Sequence, residues 1–176
     1  MLIGISMGLG MRFVFAAVEL AGDMIGMQMG LSMATFIDPQ NSTQTPIVGS
    51  FLAIVASLIL LAINGHLLMI AALVDSFQSI PISAQPQLAL SIEHLVALGG
   101  EIFRIGLHLA LPVLATLLVL NMAMGVLSRA APQINIFAVG FPLTILVGLF
   151  LLGLSLPYMG ASLEQVLLRA ISTLSG

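Results

Sequence analysis

Three histidines and two neighbouring carboxylates are the first side chains in this sequence that could do chemistry. His66, His94 and His108, together with Glu93 or Glu101, are the residue types that bind metal ions. The sequence has no HExxH motif and no two histidines four residues apart, which are the spacings that place ligands on one helix face. We therefore favour hydrogen bonds between helices over a metal site, and we expect no cofactor.

A pair of acids, Glu19 and Asp23, is the second candidate, because two carboxylates on one face can perform acid–base catalysis. Neither a nucleophile nor an activated base accompanies them in the sequence pattern. Like charges one helical turn apart repel each other. We therefore predict that the two acids pair with Arg12 or with a partner chain, and that they are not catalytic.

The third candidate is a set of three residues, Glu101, Arg104 and His108, whose spacing places them on one face of a helix. One interpretation is a proton relay or gate, and the other, which we favour, is a structural ion pair between residues three apart. The sequence contains neither a P-loop nor a G-x-S-x-G motif. We therefore predict that the protein is not an enzyme.

The composition indicates which elements must position these side chains. Hydrophobic residues make up 60% of the 176 residues, only 6% are charged, and lysine is absent. Soluble domains carry about 25% charged residues, so this chain belongs in a membrane or deep inside an apolar assembly. There is no cysteine to form a disulfide, and no basic run that would bind nucleic acid.

The hydrophobic pattern predicts an all-α integral membrane protein that forms a single helical domain over residues 1–176. It predicts about four long hydrophobic helices and a short amphipathic helix at the C-terminus. We expect bends at Gly100 and Pro112, and we expect Pro157 to end the fourth long helix. The predicted helices span residues 2–36, 47–74, 88–127, 136–156 and 164–174.

The first predicted helix carries small and charged residues on one face. Gly22, Gly26 and Gly30 form a ladder of small residues four apart, which allows another helix to approach closely. Arg12 and Asp23 lie on the same face and should therefore point at protein or at a wet cavity. This helix is also rich in methionine, for which we favour ordinary apolar packing over an adaptable seal.

Two polar connectors and one polar stripe interrupt the apolar sequence. Residues 37–46, IDPQNSTQTP, are the most polar stretch and are predicted to form a loop. Residues 128–143 place polar groups and two prolines between two apolar runs. A bilayer offers no water to such groups, so this second connector lies at the interface or is buried in protein. Asn64 belongs to a polar stripe suited to hydrogen bonds between helices.

A family resemblance rests on four segments in one order. Residues 128–149, SRAAPQINIFAVGFPLTILVGL, resemble the signature of the FliR family, the R component of the flagellar type III protein export gate. Residues 11–40, 60–82 and 99–133 resemble the preceding helices of the same family. The virulence-secretion SctT family is similar in plan, but the run NIFAVGFPLTILVGL resembles the flagellar proteins. Family members have hydrophobic helices before the segment that begins here, so we expect the chain to be truncated at its N-terminus.

The resemblance implies a place in an export gate of the bacterial inner membrane, at the flagellar basal body. Family members assemble there with FliP and FliQ, FlhB associates with the gate, and unfolded flagellar subunits pass through it. In the family, the loop that follows the long helix is a plug that helps to close the pore. By position, the plug residues are Phe36, Ile37, Asp38, Pro39, Gln40, Asn41 and Pro46.

The remaining candidate residues are expected to pack helices together or to contact partner subunits. A self-contained membrane transporter is the alternative function, but it calls for a midplane substrate site and ideally two related halves, and no convincing internal repeat is present. The packing and assembly candidates are Arg12, Glu19, Gly22, Asp23, Gly26, Gly30, Asn64, Glu101, Arg104, Arg129, Pro132, Gln133 and Asn135.

Overall fold

The computed structural model describes residues 2–31, 46–79, 92–131 and 136–175. These residues form five α-helices and contain no β-strand, which confirms the predicted all-α class. The helices are α1 (Leu2–Gln28), α2 (Ile47–Ala62), α3 (Gly65–Ser79), α4 (Ile92–Ala130) and α5 (Ile136–Ser175).

Two of the described helices are long and apolar enough to cross a membrane. They are Gly100–Ala130 within α4, with a mean hydropathy of 2.1, and Ala138–Arg169 within α5, with a mean hydropathy of 2.3. Ile47–Ala62 and Gly65–Asp75 pass the same test as a pair, but they are bent by 65° at the break between them. Length and composition thus agree with the predicted membrane protein.

The core forms around α1, which contacts each of the other four helices. Val18, Ala21 and Ile25 of α1 are completely buried, and so is Met29 just after the helix. They pack with buried apolar residues of α2, α4 and α5 in one continuous cluster. The burial of Met29 in this cluster agrees with ordinary apolar packing, which is the role that we favoured for the methionines of this helix.

The end of α1 differs from the prediction, which extended the helix to Phe36. The helix ends at Gln28, and Gly30 follows with a φ of +80°, a left-handed conformation that favours glycine. Leu31 donates its N–H to the carbonyl of Gly26, and Gly30 donates to that of Met27. This pair of bonds is a Schellman motif, so Gly30 terminates α1 and does not extend its small-residue ladder.

The predicted second helix is also divided in the structure. Asn64 adopts a φ of +55°, and it separates α2 from α3. Asparagine tolerates this left-handed conformation better than most residues, which places the break at this residue. The Asn64 carbonyl accepts the N–H groups of Leu67 and Leu68, so the same residue opens α3. The prediction of one helix over residues 47–74 was therefore wrong.

Prolines do not interrupt the last two helices. Pro112 lies inside the continuous helix α4, and Pro157 lies inside α5, which reaches Ser175. The prediction that Pro157 ends a helix and that a separate short helix follows was wrong. A proline removes one helical hydrogen bond, but Met159, Leu163 and Leu167 after it are buried in the core. Tertiary packing of this apolar face holds the helix together beyond the proline.

Candidate functional site

Helices α1 and α2 approach each other closely where they cross at Gly22 and Gly49. A Cβ atom added to Gly22 would lie 2.5 Å from the backbone nitrogen of Gly49 and 2.8 Å from the carbonyl carbon of Val48. At Gly26 the nearest atom would be a Val48 side-chain carbon at 3.6 Å, which is an ordinary contact. The predicted close contact therefore occurs at Gly22, and the helix that approaches belongs to the same chain.

Asp23 lies beside this crossing with an incomplete set of hydrogen bonds. Its Oδ1 atom is buried and has no hydrogen-bond partner in the described part of the chain. A Cβ atom added to Gly49 would lie 2.8 Å from that oxygen. Burial raises the pKa of Asp23 above its ordinary value of 3.8, and the negative charge of Glu19 adds to the rise. A buried acceptor without a donor is a position where a further polar group would be stabilising.

The expected pairing of these acids with Arg12 is not present. Arg12 is exposed, and no ion pair within the described ranges joins it to Glu19 or Asp23. Arg12 and Glu19 both remain accessible on the outer side of α1. The pairing of Glu19 and Asp23 with a partner chain stays a prediction.

The raised pKa of Asp23 predicts a specific pH dependence of stability. The folded chain holds this proton at a higher pH than the unfolded chain, so the free energy of unfolding decreases as pH rises from about 3.8. Asp23→Asn removes this dependence, and we expect its melting temperature at pH 7 to be about 2 °C above wild type. Melting curves of detergent-solubilised protein from pH 4 to pH 7 measure the effect. Glu164→Gln, which changes an exposed acid on α5, is the control. If the melting temperature of Asp23→Asn changed with pH in the same way as that of wild type, the raised pKa of Asp23 would be contradicted.

The charged residues on α4 form an ion pair at the surface. Arg104 donates to the Oε2 atom of Glu101 from Nη2 at 2.7 Å and from Nε at 3.0 Å. The predicted pairing of residues three apart is therefore present in the structure. Its side chains are 71% and 48% exposed, so it contributes less than about 1 kcal/mol to stability.

The two histidines with described side chains, His66 and His108, lie on different helices, α3 and α4. His108 is not part of the ion pair, and its Nε2 atom lies 3.2 Å from the hydroxyl of Tyr158 on α5. His66 is exposed on α3, and the side chain of His94 lies outside the described residues. Within the described part of the chain, no three histidine, aspartate or glutamate residues lie close enough together to hold a metal ion.

Two cavities lie between α4 and α5, near opposite ends of these helices. One has a volume of about 230 Å³ and is lined by Arg104, Ile105, His108, Leu109, Ser162, Gln165, Val166 and Arg169. The other has a volume of about 330 Å³ and is lined by Asn121, Met124, Gly125, Ser128, Gly140, Phe141 and Thr144. The first cavity combines two arginines with apolar walls, while no charged side chain lines the second.

Most of the predicted connector residues fall outside the described ranges. For the plug loop this applies to Phe36, Ile37, Asp38, Pro39, Gln40 and Asn41, and for the second connector it applies to Pro132, Gln133 and Asn135. Pro46 is exposed and extended immediately before α2, and its carbonyl accepts the N–H of Ser50 at 2.8 Å. Arg129 is exposed in the last turn of α4.

The sequence reasoning missed four residues that position these elements. Gly49 of α2 contacts α1 where the two helices cross. Gly106 lies close to the carbonyl oxygen of Ala17, and Gly148 leaves room for the side chain of Met29. Tyr158 contacts His108 from the neighbouring helix. The only local signal for such glycines is a small residue within an apolar helix, and that signal does not say which helix approaches.

Known proteins of one family match this chain over most of its length. The family model of the bacterial export proteins, family 1, matches residues 1–170. Flagellar biosynthetic protein FliR of Pectobacterium carotovorum subsp. carotovorum is 50% identical over 156 residues, which cover 89% of this chain and 60% of that protein.

Two further relatives of the same name are more distant in sequence. FliR of Escherichia coli strain K12 is 45% identical over 94% of this chain and 63% of its own length. FliR of Bacillus subtilis strain 168 is 36% identical over 86% of this chain and 60% of its own length. The chain thus spans a little under two thirds of these relatives. The matches confirm the resemblance seen in the four segments, and the chain belongs to the FliR family of bacterial export proteins.

Proposed function

We propose that this chain is a subunit of a flagellar type III protein export gate in the bacterial inner membrane, at the flagellar basal body. It would assemble there with FliP and FliQ, associate with FlhB, and contribute residues 36–46 as a loop that helps to close the pore. Exported flagellar proteins would pass through the gate in transit. No catalytic step is assigned to the chain itself.

The observation that carries this proposal, together with family membership, is the apolar surface of the helices around α1. On α4 and α5 it includes Leu118, Val119, Met122, Leu146 and Phe150, which are all more than half exposed. Monomeric soluble proteins rarely expose such large continuous apolar patches, so lipid or partner helices must cover these faces. A subunit of a helical membrane assembly has this kind of surface.

Co-purification tests the assembly. A tagged copy of the chain, expressed with FliP and FliQ in a host that lacks its own FliR, is expected to retain both subunits through detergent extraction. The self-contained transporter makes the opposite prediction, because it would purify alone and would move a solute or an ion across liposomes. Solute flux through the isolated chain, without the partner subunits, would replace the gate proposal with the transporter.

The plug role is tested by removing six residues from the first connector. Deleting residues 38–43 is expected to make the membrane of expressing cells leaky to small ions while export partly survives, because a closing element is lost while the helices remain. Ion permeability measured with a membrane-potential dye reports the leak. Deleting residues 80–85, which fall between α3 and α4 in the sequence, is the matched control in length. An unchanged permeability after the 38–43 deletion would remove the plug role.

A further inference from the structure

Helices α4 and α5 each carry an internal proline, and the two prolines lie at about the same level of the helix pair. The first half of α4 and the second half of α5 line one cavity, and the opposite halves line the other, so the two helices run antiparallel. Pro112 lies four residues after His108 on α4, and Pro157 lies one residue before Tyr158 on α5. Because His108 and Tyr158 contact each other, the prolines face the same region between the helices.

Each proline removes a hydrogen bond from its own helix. Proline has no N–H group, so Pro112 has none to donate to the carbonyl of His108, and Pro157 has none to donate to the carbonyl of Gly153. Sharp bends in long helices occur at such residues. Since α4 and α5 are both continuous through their prolines, these positions are points of low resistance to bending and not helix ends.

Side-chain hydroxyl groups weaken the same turns further. Thr116 donates from Oγ1 to the carbonyl of Pro112 at 2.9 Å, and Ser155 donates from Oγ to the carbonyl of Leu152 at 2.9 Å. Such bonds compete with the backbone hydrogen bonds of a helix and often bend it. A Cβ atom added to Gly153 would meet no atom within 4 Å, so there is open space beside α5 one turn before its proline.

The core holds the two helices less firmly on one side of this level. Leu109 on α4 and Met159 on α5 are each 1% exposed and belong to the main core cluster. Beyond Leu117, however, none of residues 118–130 is buried, and on α5 none of residues 139–143 is buried. These two ranges, which we call the outer arm, can therefore be displaced at a smaller loss of packing than the rest of the helix pair.

One hydrogen bond between the helices joins the two weakened places. Nε2 of His108 lies 3.2 Å from the hydroxyl of Tyr158, and the two rings are 6.4 Å apart between centroids. His108 is the residue whose carbonyl lacks a donor at Pro112, and Tyr158 directly follows Pro157. We propose that α4 and α5 bend together at these two prolines, and that the bond between His108 and Tyr158 couples the two bends. This coupling does not depend on the proposed export role.

Distances between paired spin labels test the coupling. The chain contains no cysteine, so labels attach only where a cysteine is introduced. Val126→Cys on the outer arm and Leu146→Cys on α5 are each paired with Ile54→Cys on α2, and all three positions are more than half exposed. Val126 lies about 21 Å along α4 from Pro112, so a bend of about 20° would move it by roughly 7 Å.

The expected result distinguishes coupled from independent bending. In nanodiscs, the chain with only the labelled cysteines added should give broad distance distributions for both pairs. Pro112→Ala restores an N–H donor to α4, and it should narrow both distributions about twofold. In the Tyr158→Phe background, Pro112→Ala should narrow only the distribution between Ile54 and Val126. The proposal is overturned if Pro112→Ala narrows neither distribution or only that one while Tyr158 is present, or narrows both in the Tyr158→Phe background.

A third proline inside α5 supplies the matched control. Pro142 does not lie between Leu146 and Pro157, so a bend at Pro142 does not move the labelled Leu146 position relative to the core. Pro142→Ala should therefore leave both distributions unchanged. Narrowing of both distributions by this variant would indicate a general effect of replacing proline and would contradict the paired bend.

The reciprocal substitution keeps the test decisive if one variant does not fold. Pro157→Ala should narrow both distributions while Tyr158 is present, and only the distribution between Ile54 and Leu146 in the Tyr158→Phe background. Melting curves in the same nanodiscs check that each variant is folded. The same response of both distributions to Pro157→Ala in the two backgrounds would remove the His108–Tyr158 bond as the coupling element.

Discussion

Replacing Gly22 with valine is expected to lower the free energy of unfolding by about 3 kcal/mol, because the new side chain would overlap the backbone of α2. Even the first added carbon would lie 2.5 Å from the nitrogen of Gly49, and a backbone cannot move aside as a flexible side chain can. For a chain of this size the loss corresponds to a fall of roughly 6–12 °C in melting temperature. Thermal melts of the detergent-solubilised chain measure it.

Other glycines of α1 provide matched controls for this experiment. Gly8 has no atom within 4 Å of an added Cβ, so Gly8→Ala should stabilise the helix by up to about 1 kcal/mol. Gly22→Ala should instead lower the free energy of unfolding, and the change caused by Gly26→Ala should fall between those of the other two variants. If Gly22→Ala and Gly8→Ala had the same effect, α1 and α2 would not cross at Gly22. Under the proposed export role, motility of a FliR-deficient host complemented by the chain would be lost with Gly22→Val and retained with Gly8→Ala.

Replacing Gly106 with valine is expected to separate α4 from α1 and to destabilise the chain by about 2 kcal/mol. A Cβ atom at Gly106 would lie 2.9 Å from the carbonyl oxygen of Ala17 and 3.2 Å from a side-chain carbon of Leu20. The carbonyl belongs to helix backbone and cannot yield, while the leucine can change rotamer. The effect is therefore smaller than at Gly22, where the three nearest atoms all belong to the backbone.

Two glycines on the same helix make this test specific. An added Cβ at Gly100 or at Gly125 would meet no atom within 4 Å, so valine there should leave the melting temperature within about 2 °C of wild type. Hydrogen exchange at the amides of α1 gives a second measurement, since exposure of Ala17 and Leu20 should increase only with Gly106→Val. Equal destabilisation at Gly100 and Gly106 would indicate a general helix effect rather than a lost contact.

The fold class and the presence of a tight glycine contact could be predicted, but the partner of that contact could not. Gly22 and Gly26 repeat at a helical spacing, and this local pattern is enough to predict close packing. The pattern does not say that Gly49, after a polar connector, supplies the opposing surface. It also gives no reason to weight Gly22 above Gly26, because the difference arises from the angle at which α1 and α2 cross.

Helix ends were predicted less well where local signals compete with packing. Pro157 is a strong local stop signal, yet α5 continues because Met159, Leu163 and Leu167 are buried beyond it. Asn64 carries a weaker signal, yet it adopts a left-handed conformation and divides α2 from α3. At Pro157 contacts with other helices decide the conformation, while at Asn64 the break lies at a residue type that tolerates the left-handed conformation.

The sequence by itself determined that this protein is an all-helical membrane chain of the FliR family. Composition, apolar periodicity and four colinear segments are properties that can be read one stretch at a time. The tertiary structure alone decided that α1 lies at the centre, that Oδ1 of Asp23 is buried without a donor among the described residues, and that Arg104 and Arg169 share one cavity. These facts depend on contacts between residues far apart in the chain, and helix crossing geometry sets them rather than any local pattern.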